Sequence, residues 1–340
     1  MLRLNLMTSL TTKSLVYISL FMTTMYICSY FPFDLFQIPL RPGSTVALIT
    51  PMLPDGQVDV PSLRSLLQFH VTAGTDGLCI LGTTGEASLM DLQERKSVLQ
   101  IAVDEVKGKI PILVGTGAID PRQVKEMILQ AKDMGCDASL LVSPMYIKPP
   151  QRGLVQFYNQ MADLGLPIVM YNVPGRTGVD IKPETIALCA QHENIVGVKE
   201  ATGDLSRVDK IRSLTKDVVK TKNSNSRFLL YSGDDDTEAE FVLQGGDGCI
   251  SVTANCAPKA MHDMMMACLK GNAEEARRIN DDLKLLHTRI FCESNPIPAK
   301  WAVKRMGKIP YAFCRPPLME LDAQYYGHVE EALRLAKLIV

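Results

Sequence analysis

Residues 45–255 repeat one pattern of hydrophobic and polar positions. A short apolar run is followed by a turn rich in glycine, proline or threonine, and then by a segment with apolar residues at helical spacing. The apolar runs lack strict alternation, which is typical of parallel strands that are buried on both faces. The pattern predicts strands at 46–50, 77–82, 111–117, 138–144, 167–174, 195–202, 228–235 and 248–254.

The segments between these runs carry helix start and stop signals. Asp120 followed by Pro121 is typical of a helix N-terminus, and Asp91 with Glu94 has the spacing of a capping box. Glycines suited to a left-handed helix end follow three segments, at Gly74, Gly108 and Gly135. Eight strand and helix units predict an α/β fold in which a (β/α)8 TIM barrel closes on itself, rather than an open sheet.

The pattern divides the chain into three parts. Residues 45–255 form the predicted barrel core, and residues 256–340 form the closing helix and a C-terminal helical appendage. Residues 1–44 are interpreted as a leader or a disordered extension, because residues 1–33 contain no acidic side chain and residues 15–28 are apolar but short for a membrane span. Such a leader predicts a plastid location if the source is a photosynthetic eukaryote, and otherwise the cytoplasm.

Composition narrows the range of partners. The 36 Lys+Arg residues balance 37 Asp+Glu residues without long runs of one sign, which disfavours binding to nucleic acid or an acidic membrane. The nine cysteines form no C-x-x-C pair, and the five histidines lack metal-ligand spacing. We therefore expect buried thiols in a reducing compartment, no metal, no cofactor and a small-molecule substrate.

Polar residues concentrate where the predicted strands end, which is where barrel enzymes build their sites. Lys199 follows the apolar run of the sixth strand in "IVGVKEATGD" (195–204). One interpretation is a rim lysine paired with Glu200. The other is a buried amine that attacks a carbonyl and forms a Schiff base, since burial disfavours the charged form.

A Schiff-base mechanism needs groups that move protons and bind the substrate. Tyr171 ends the strand before that of Lys199, and its hydroxyl can serve in a proton relay. Thr83 and Thr84 offer hydroxyl and backbone N–H groups to a carboxylate. Arg176, on the turn "PGRTG" (174–178), has a fork suited to a second carboxylate.

Five motifs occur in order: "GTTGE" (82–86), "YNVPGRTG" (171–178), "KEATGD" (199–204), "SGDD" (232–235) and "ISVTAN" (250–255). Together they resemble the dihydrodipicolinate synthase (4-hydroxy-tetrahydrodipicolinate synthase) family, within the N-acetylneuraminate lyase superfamily of pyruvate-dependent class I aldolases. The resemblance covers about residues 45–315. It implies condensation of pyruvate with L-aspartate 4-semialdehyde on the diaminopimelate route to lysine.

The resemblance also implies a role for each matching residue. Lys199 would form the imine with pyruvate, and Tyr171, Thr84 and Tyr146 the hydroxyl relay, with Tyr146 acting in the site of a neighbouring subunit. Pyruvate would be held by Thr83, Thr84 and the backbone near Gly233 and Ile250. Arg176 would bind the carboxylate of the aldehyde substrate, and the enzyme would be a homodimer or homotetramer.

Two alternative functions are open to this chain, and its sequence departs from the family pattern in two places. The alternatives are a lyase for a sugar acid or another 2-keto acid, which Arg176 disfavours, and a non-catalytic binding scaffold, which the intact relay disfavours. The polar insertion at 218–227 is interpreted as a solvated loop. The positions that correspond to the lysine-binding residues of inhibited relatives are partly apolar and imply weak feedback: Leu92, Arg95, Ile119, Gln123 and Met145.

Overall fold

The computed structural model describes residues 40–220 and 227–340. Eight parallel strands pair in chain order and close into a barrel. The predicted fold class is confirmed, and each predicted run overlaps a strand: β1 Gly43–Ala47, β2 Gly77–Ile80, β3 Ile112–Gly115, β4 Ala138–Val142, β5 Ile168–Asn172, β6 Ile195–Glu200, β7 Leu229–Ser232 and β8 Gly248–Ser251.

Helices follow the strands around the outside of the barrel and continue into the C-terminal region. The helices that alternate with strands are α1 Val60–Ala73, α2 Leu92–Val106, α3 Pro121–Asp133, α4 Gln151–Ala162, the short α5 Pro174–Thr177, α6 Pro183–Cys189, α7 Ser206–Thr215 and α8 Glu238–Leu243. After β8 come α9 Pro258–Leu269, α10 Ala273–Arg289, α11 Ile297–Arg305 and α12 Tyr326–Leu335.

Both faces of the strands are buried, as the unbroken apolar runs predict. One face of each strand packs inside the barrel, where residues such as Leu113, Val169 and Tyr231 form a single cluster. The other face packs against the helices, as Ile112, Met170 and Leu230 do. The barrel interior is therefore a filled core. Barrel enzymes of this kind build their sites at the carboxyl ends of the strands.

The helix signals in the sequence have the predicted geometry. Asp91 and Glu94 form a reciprocal capping box at the start of α2. Asp120 caps α3 by accepting from the backbone N–H of Arg122. The three predicted terminal glycines adopt left-handed backbone angles, with φ of +80° at Gly74, +79° at Gly108 and +79° at Gly135.

The barrel begins slightly before the predicted boundary at residue 44. β1 starts at Gly43, Leu40 is buried in the interior cluster, and the Tyr231 hydroxyl donates to the Arg41 carbonyl at 2.9 Å. Residues 40–44 thus close the base of the barrel, and the predicted leader lies outside the described residues up to residue 39. Within the described ranges, every helix is too short or too polar to cross a bilayer.

The polar insertion is only partly exposed. Val219 and Arg227 form an antiparallel bridge, and residues 221–226 between them lie outside the described residues. Lys220 is 1% exposed, and its ammonium donates to the carbonyls of Ala190 and His192 at 2.6 and 2.7 Å. The prediction of a solvated loop is wrong for Lys220, which caps the end of α6.

The cysteines follow the prediction within the described part of the chain. Seven of the eight described cysteines are buried, and Cys292 is half-buried. Burial raises the pKa of Cys256 to about 12, so this thiol stays protonated at neutral pH.

Replacing His70 by glutamine is expected to reduce the fall in the free energy of unfolding at acidic pH. His70 is fully buried on α1, and burial lowers the pKa of its ring from 6.5 to about 3. Between pH 6.5 and pH 3 only the unfolded chain gains a proton at this ring. The contribution of His70 to the free energy of unfolding is therefore complete above pH 6.5 and is lost as the pH falls towards 3. The slope from this one group is about 1.4 kcal/mol per pH unit.

Urea unfolding from pH 7 to pH 4 measures this effect. The exposed His328 provides the matched control, since His328→Gln should leave the slope unchanged. Parallel stability curves for the wild type and His70→Gln would contradict the prediction.

Candidate active site

The carboxyl ends of the strands open onto a cavity of about 210 Å³. Six of the residues predicted from the sequence line it together: Thr83, Thr84, Tyr171, Arg176, Lys199 and Gly233. They come from β2, β5, β6 and β7 or from the turns that follow them, which are far apart in the sequence. The site therefore lies at the catalytic end of the barrel.

Lys199 points into this cavity from β6. It is 5% exposed, and its Nζ lies 4.6 Å from the centre of the Tyr171 ring. Its neighbours across the sheet are Tyr171 on β5 and Tyr231 on β7. Within residues 40–220 and 227–340 the ammonium forms no ion pair, which disfavours the interpretation as a rim lysine.

A β-bulge in β6 determines the direction of Lys199. The register with β5 shifts between Ile168 and Val169, so that Val196 is an extra residue in β6. Val196 packs inside the barrel, whereas Val198 packs against the helices. With strict alternation from Val196 onwards, Lys199 would face the helices. The bulge instead brings its amine inward, as such irregularities do next to active sites.

Glu200 lies on the opposite face of the strand and pairs elsewhere. Its carboxylate accepts from Arg207 Nε at 3.0 Å and from Asn172 Nδ2 at 3.0 and 3.1 Å. Burial raises the pKa of this carboxyl, and the charge of Arg207 opposes the rise. The predicted alternative of a Lys199–Glu200 pair is therefore wrong.

The "GTTGE" turn after β2 is held in an unusual backbone conformation. Leu81 and Glu86, at either end of it, both have φ of +56°, which is rare for residues other than glycine. Thr50 supports the turn by donating its hydroxyl to the Gly85 carbonyl at 2.9 Å. This conformation places Thr84, which is 3% exposed, at the cavity wall.

A buried ion pair ties the same turn to the C-terminal region. Glu86 is paired with Lys300 of α11, and both side chains are fully buried. The other Glu86 oxygen accepts from the backbone N–H of Arg315 at 2.9 Å. Removing one member of such a pair leaves an uncompensated buried charge, so breaking this link between the turn and α11 is strongly unfavourable.

Arg176 faces the cavity from α5. It is exposed, and its guanidinium forms no hydrogen bond or ion pair with the described residues. The short helix begins at Pro174 and ends at Gly178, where φ is +72°. A guanidinium without a protein partner at the cavity rim is available to an anionic ligand.

Gly233 is required for the approach of Lys199. A Cβ atom at this position would lie 2.6 Å from Lys199 Cε and 2.7 Å from Ala201 Cβ, closer than side chains tolerate. Any larger residue would displace the lysine stem. Ile250, by contrast, is 1% exposed within the interior cluster, and its side chain does not line the cavity.

Tyr146 is the one predicted catalytic residue that lies away from the cavity. It sits in the loop after β4 with φ of +70°, and its side chain is 85% exposed. The adjacent Ile147 is also 55% exposed. The chain by itself therefore does not bring Tyr146 together with Lys199.

Phe291 and Asn295 belong to the site but lie outside the strands and motifs that the sequence predicts. Both line the cavity, although they belong to the region interpreted as a helical appendage. Asn295 donates from Nδ2 to Thr84 Oγ1 at 2.9 Å. The dipeptide Asn295–Pro296 marks a turn in the sequence, but nothing in the local pattern places this turn at the barrel mouth.

The charged side chains that line the cavity are cationic. Across the described ranges, no group of three or more histidine, cysteine, aspartate or glutamate side chains is arranged to hold a metal ion. Two cationic side chains, Lys199 and Arg176, line the cavity. Such a site suits an anionic substrate with a reactive carbonyl.

Comparison with known proteins agrees with the motifs. The profile of the Dihydrodipicolinate synthetase family matches residues 41–336. A curated relative from Saccharophagus degradans, named 4-hydroxy-tetrahydrodipicolinate synthase, is 47% identical over 298 residues, which cover 87% of this chain and 99% of the relative.

Solved structures show the same architecture. The chloride-inhibited dihydrodipicolinate synthase from Acinetobacter baumannii, complexed with pyruvate, is 44% identical with a TM-score of 0.83, over 88% of this chain and 99% of that one. The enzyme from Cyanidioschyzon merolae with lysine bound is 31% identical with a TM-score of 0.82, over 89% and 100%. The family predicted from the motifs is confirmed: the chain belongs to the dihydrodipicolinate synthetase family.

Proposed function

We propose that Lys199 attacks the carbonyl of pyruvate to form an imine, and that the derived enamine adds to the aldehyde of L-aspartate 4-semialdehyde. The activity is that of a 4-hydroxy-tetrahydrodipicolinate synthase, a Schiff-base-forming lyase of the diaminopimelate route to lysine. The names of the relatives favour this activity over the sugar-acid lyase. The observation that carries the mechanism is a buried Lys199 amine without an ion pair among the described residues, facing a cavity beside Tyr171.

The pyruvate carboxylate is proposed to bind at the "GTTGE" turn. Thr83 and Thr84 line the cavity with hydroxyl and backbone N–H groups, which suit a carboxylate. Gly233 leaves its backbone accessible beside the lysine stem. The backbone of Ile250 is proposed as a further contact for pyruvate. Its side chain packs in the barrel interior.

Arg176 is proposed to bind the carboxylate of the aldehyde substrate. Its guanidinium lines the same cavity as Lys199 and has no partner among the described residues. A fork of parallel N–H donors binds a carboxylate in two places and fixes its orientation. This contact would direct the aldehyde carbon towards the enamine.

Tyr146 is proposed to complete the hydroxyl relay of a neighbouring subunit. A tyrosine that is 85% exposed, next to an isoleucine that is 55% exposed, is unfavourable on an isolated surface and suits a protein interface. In a two-fold dimer this loop would reach the partner and supply Tyr146 to the partner's cavity. The assembly is accordingly proposed to be a dimer, or a tetramer built from two such dimers.

Mixing two inactive variants tests both the imine mechanism and the shared site. Lys199→Ala and Tyr146→Ala subunits, co-expressed and assembled at random, should regain about a quarter of the wild-type condensation activity. Half of the dimers then contain one of each subunit, and one of the two sites in each such dimer has both residues intact. If Tyr146 acted within its own subunit, no site would be restored and the mixture would stay inactive.

Feedback inhibition by lysine is proposed to be weak. Leu92 and Ile119 present apolar side chains to solvent, at 37% and 49% exposure. Arg95 is buried, and its guanidinium donates to the carbonyls of Ala87 and Gly115. These positions offer few groups that match the charges of an amino acid. Inhibition by sub-millimolar lysine would contradict this proposal.

A further inference from the structure

Asn295 enters the barrel mouth from the C-terminal region and contacts the Thr84 hydroxyl. Its side chain lines the cavity and is 8% exposed, and Nδ2 donates to Thr84 Oγ1 at 2.9 Å. The two residues are 211 positions apart, so the contact exists only in the folded chain. The other carboxamide atom, Oδ1, is buried without a hydrogen-bond partner in the described part of the chain.

Both members of this contact are fixed by the surrounding structure. Asn295 lies just before α11, and Lys300 of that helix forms the buried pair with Glu86. Glu86 follows Thr84 by two residues in the strained turn. The Glu86–Lys300 pair therefore connects the segment that carries Asn295 to the turn that carries Thr84.

The chemistry of the two groups determines which one donates the hydrogen bond. The NH₂ of a carboxamide only donates, whereas a hydroxyl has one hydrogen and two lone pairs. If the carboxamide were reversed, the hydroxyl would donate to Oδ1, and the NH₂ would take the buried position that has no hydrogen-bond partner in the described part of the chain. Placing two donors at that position is costlier than placing one carbonyl oxygen there. Thr84 therefore accepts from Asn295, and among the described residues its own hydrogen has no acceptor.

We propose that Asn295 is a positioning residue that sets the direction of proton transfer through Thr84, which rests on the proposed role of Thr84 in the relay. When the carbinolamine on Lys199 collapses, the nitrogen lone pair forms the C=N bond and the C–O bond breaks. The departing hydroxide takes one proton from the relay and leaves as water. Thr84 can pass its hydrogen into the cavity because Asn295 occupies a lone pair and offers no acceptor.

The substitution Asn295→Asp separates this role from packing. Aspartate has nearly the same shape, but its carboxylate only accepts and would take the Thr84 hydrogen. We expect kcat for condensation to fall on the order of 100-fold, with KM for pyruvate within about twofold of wild type. Asn295→Ala leaves the hydroxyl free to rotate and should lower kcat only about fivefold. A packing role predicts the opposite order, because alanine leaves a hole and aspartate does not.

A Thr84→Val background provides the decisive comparison. Without the hydroxyl, Asn295→Asp should lower kcat no further. An equal fall in both backgrounds, or a smaller loss for aspartate than for alanine, would overturn the proposal. Should Asn295→Asp fail to fold, as its melting temperature would reveal, Asn295→Ala is compared in the same two backgrounds, and its fall of about fivefold should then occur only where the Thr84 hydroxyl is present.

Failure of the proposed function is a separate outcome. It would appear as a wild-type enzyme that neither traps pyruvate on Lys199 nor makes product. The Asn295 proposal is overturned separately, by an active wild type that either tolerates loss of the Thr84 hydroxyl or gives one of the two contradicting results named above.

Discussion

Replacing Lys199 by alanine is expected to abolish the covalent adduct with pyruvate and to lower kcat/KM on the order of 10⁴-fold or more. The expectation follows from the position of the amine, which is 5% exposed, faces the cavity and has no carboxylate partner among the described residues. Among the described residues, no other lysine lines the cavity and could replace it. The residual rate would come from the binding groups alone.

Borohydride reduction in the presence of pyruvate, followed by peptide mass mapping, measures the adduct directly. Wild-type enzyme should carry one adduct, on Lys199. Lys199→Arg should be as inactive as Lys199→Ala, because a guanidinium stays protonated and cannot form the imine. An adduct on another residue in the wild type would contradict the mechanism.

Lys220 offers a control within the same chain. It is also buried, and burial lowers its pKa to about 8, but its ammonium donates to two backbone carbonyls outside the barrel mouth. Lys220→Met should therefore keep full trapping on Lys199. This control shows that access to the cavity, rather than burial of an amine, decides which lysine reacts.

Replacing Arg176 by alanine is expected to separate the two substrates. Pyruvate should still be trapped on Lys199, because the imine is formed below the rim at which Arg176 lies. The value of kcat/KM for the aldehyde should fall by about 10²- to 10³-fold, the usual cost of losing a bidentate contact to a carboxylate. Steady-state kinetics with each substrate varied in turn measure the difference.

Arg176→Lys is the matched variant for this prediction. It keeps the charge but loses the planar fork, so its kcat/KM should lie between those of wild type and Arg176→Ala. Unchanged kinetics for the aldehyde in Arg176→Ala would show that the carboxylate binds elsewhere. Loss of pyruvate trapping in the same variant would show that Arg176 serves the first substrate.

Local signals in the sequence were sufficient to predict most of the fold. Unbroken apolar runs indicate strands buried on both faces, and capping residues such as Asp91 and Asp120 indicate where helices begin. The ends of elements differ, as at Gly43, where β1 begins within the predicted leader. Strand ends are set by register with the neighbouring strand, which the run itself does not contain.

The residues of the candidate site were likewise only partly predictable from the sequence. Lys199, Tyr171, Thr84 and Arg176 follow predicted strands, and the carboxyl ends of parallel strands meet at one end of a barrel. Asn295 could not be predicted, because its contact with Thr84 spans 211 residues. A long-range hydrogen bond leaves no periodic pattern in the sequence.

The sequence by itself thus predicted the eight strand and helix units and their closure into a barrel, and it indicated Lys199 as the proposed amine, because these depend on local hydrophobic period and on residue type. Only the tertiary structure decided which way the amine points. The bulge at Val196 turns Lys199 inward and leaves Glu200 to pair with Arg207 on the outer face. A bulge arises from pairing between two strands, so its effect on a side chain appears only when both strands are in place.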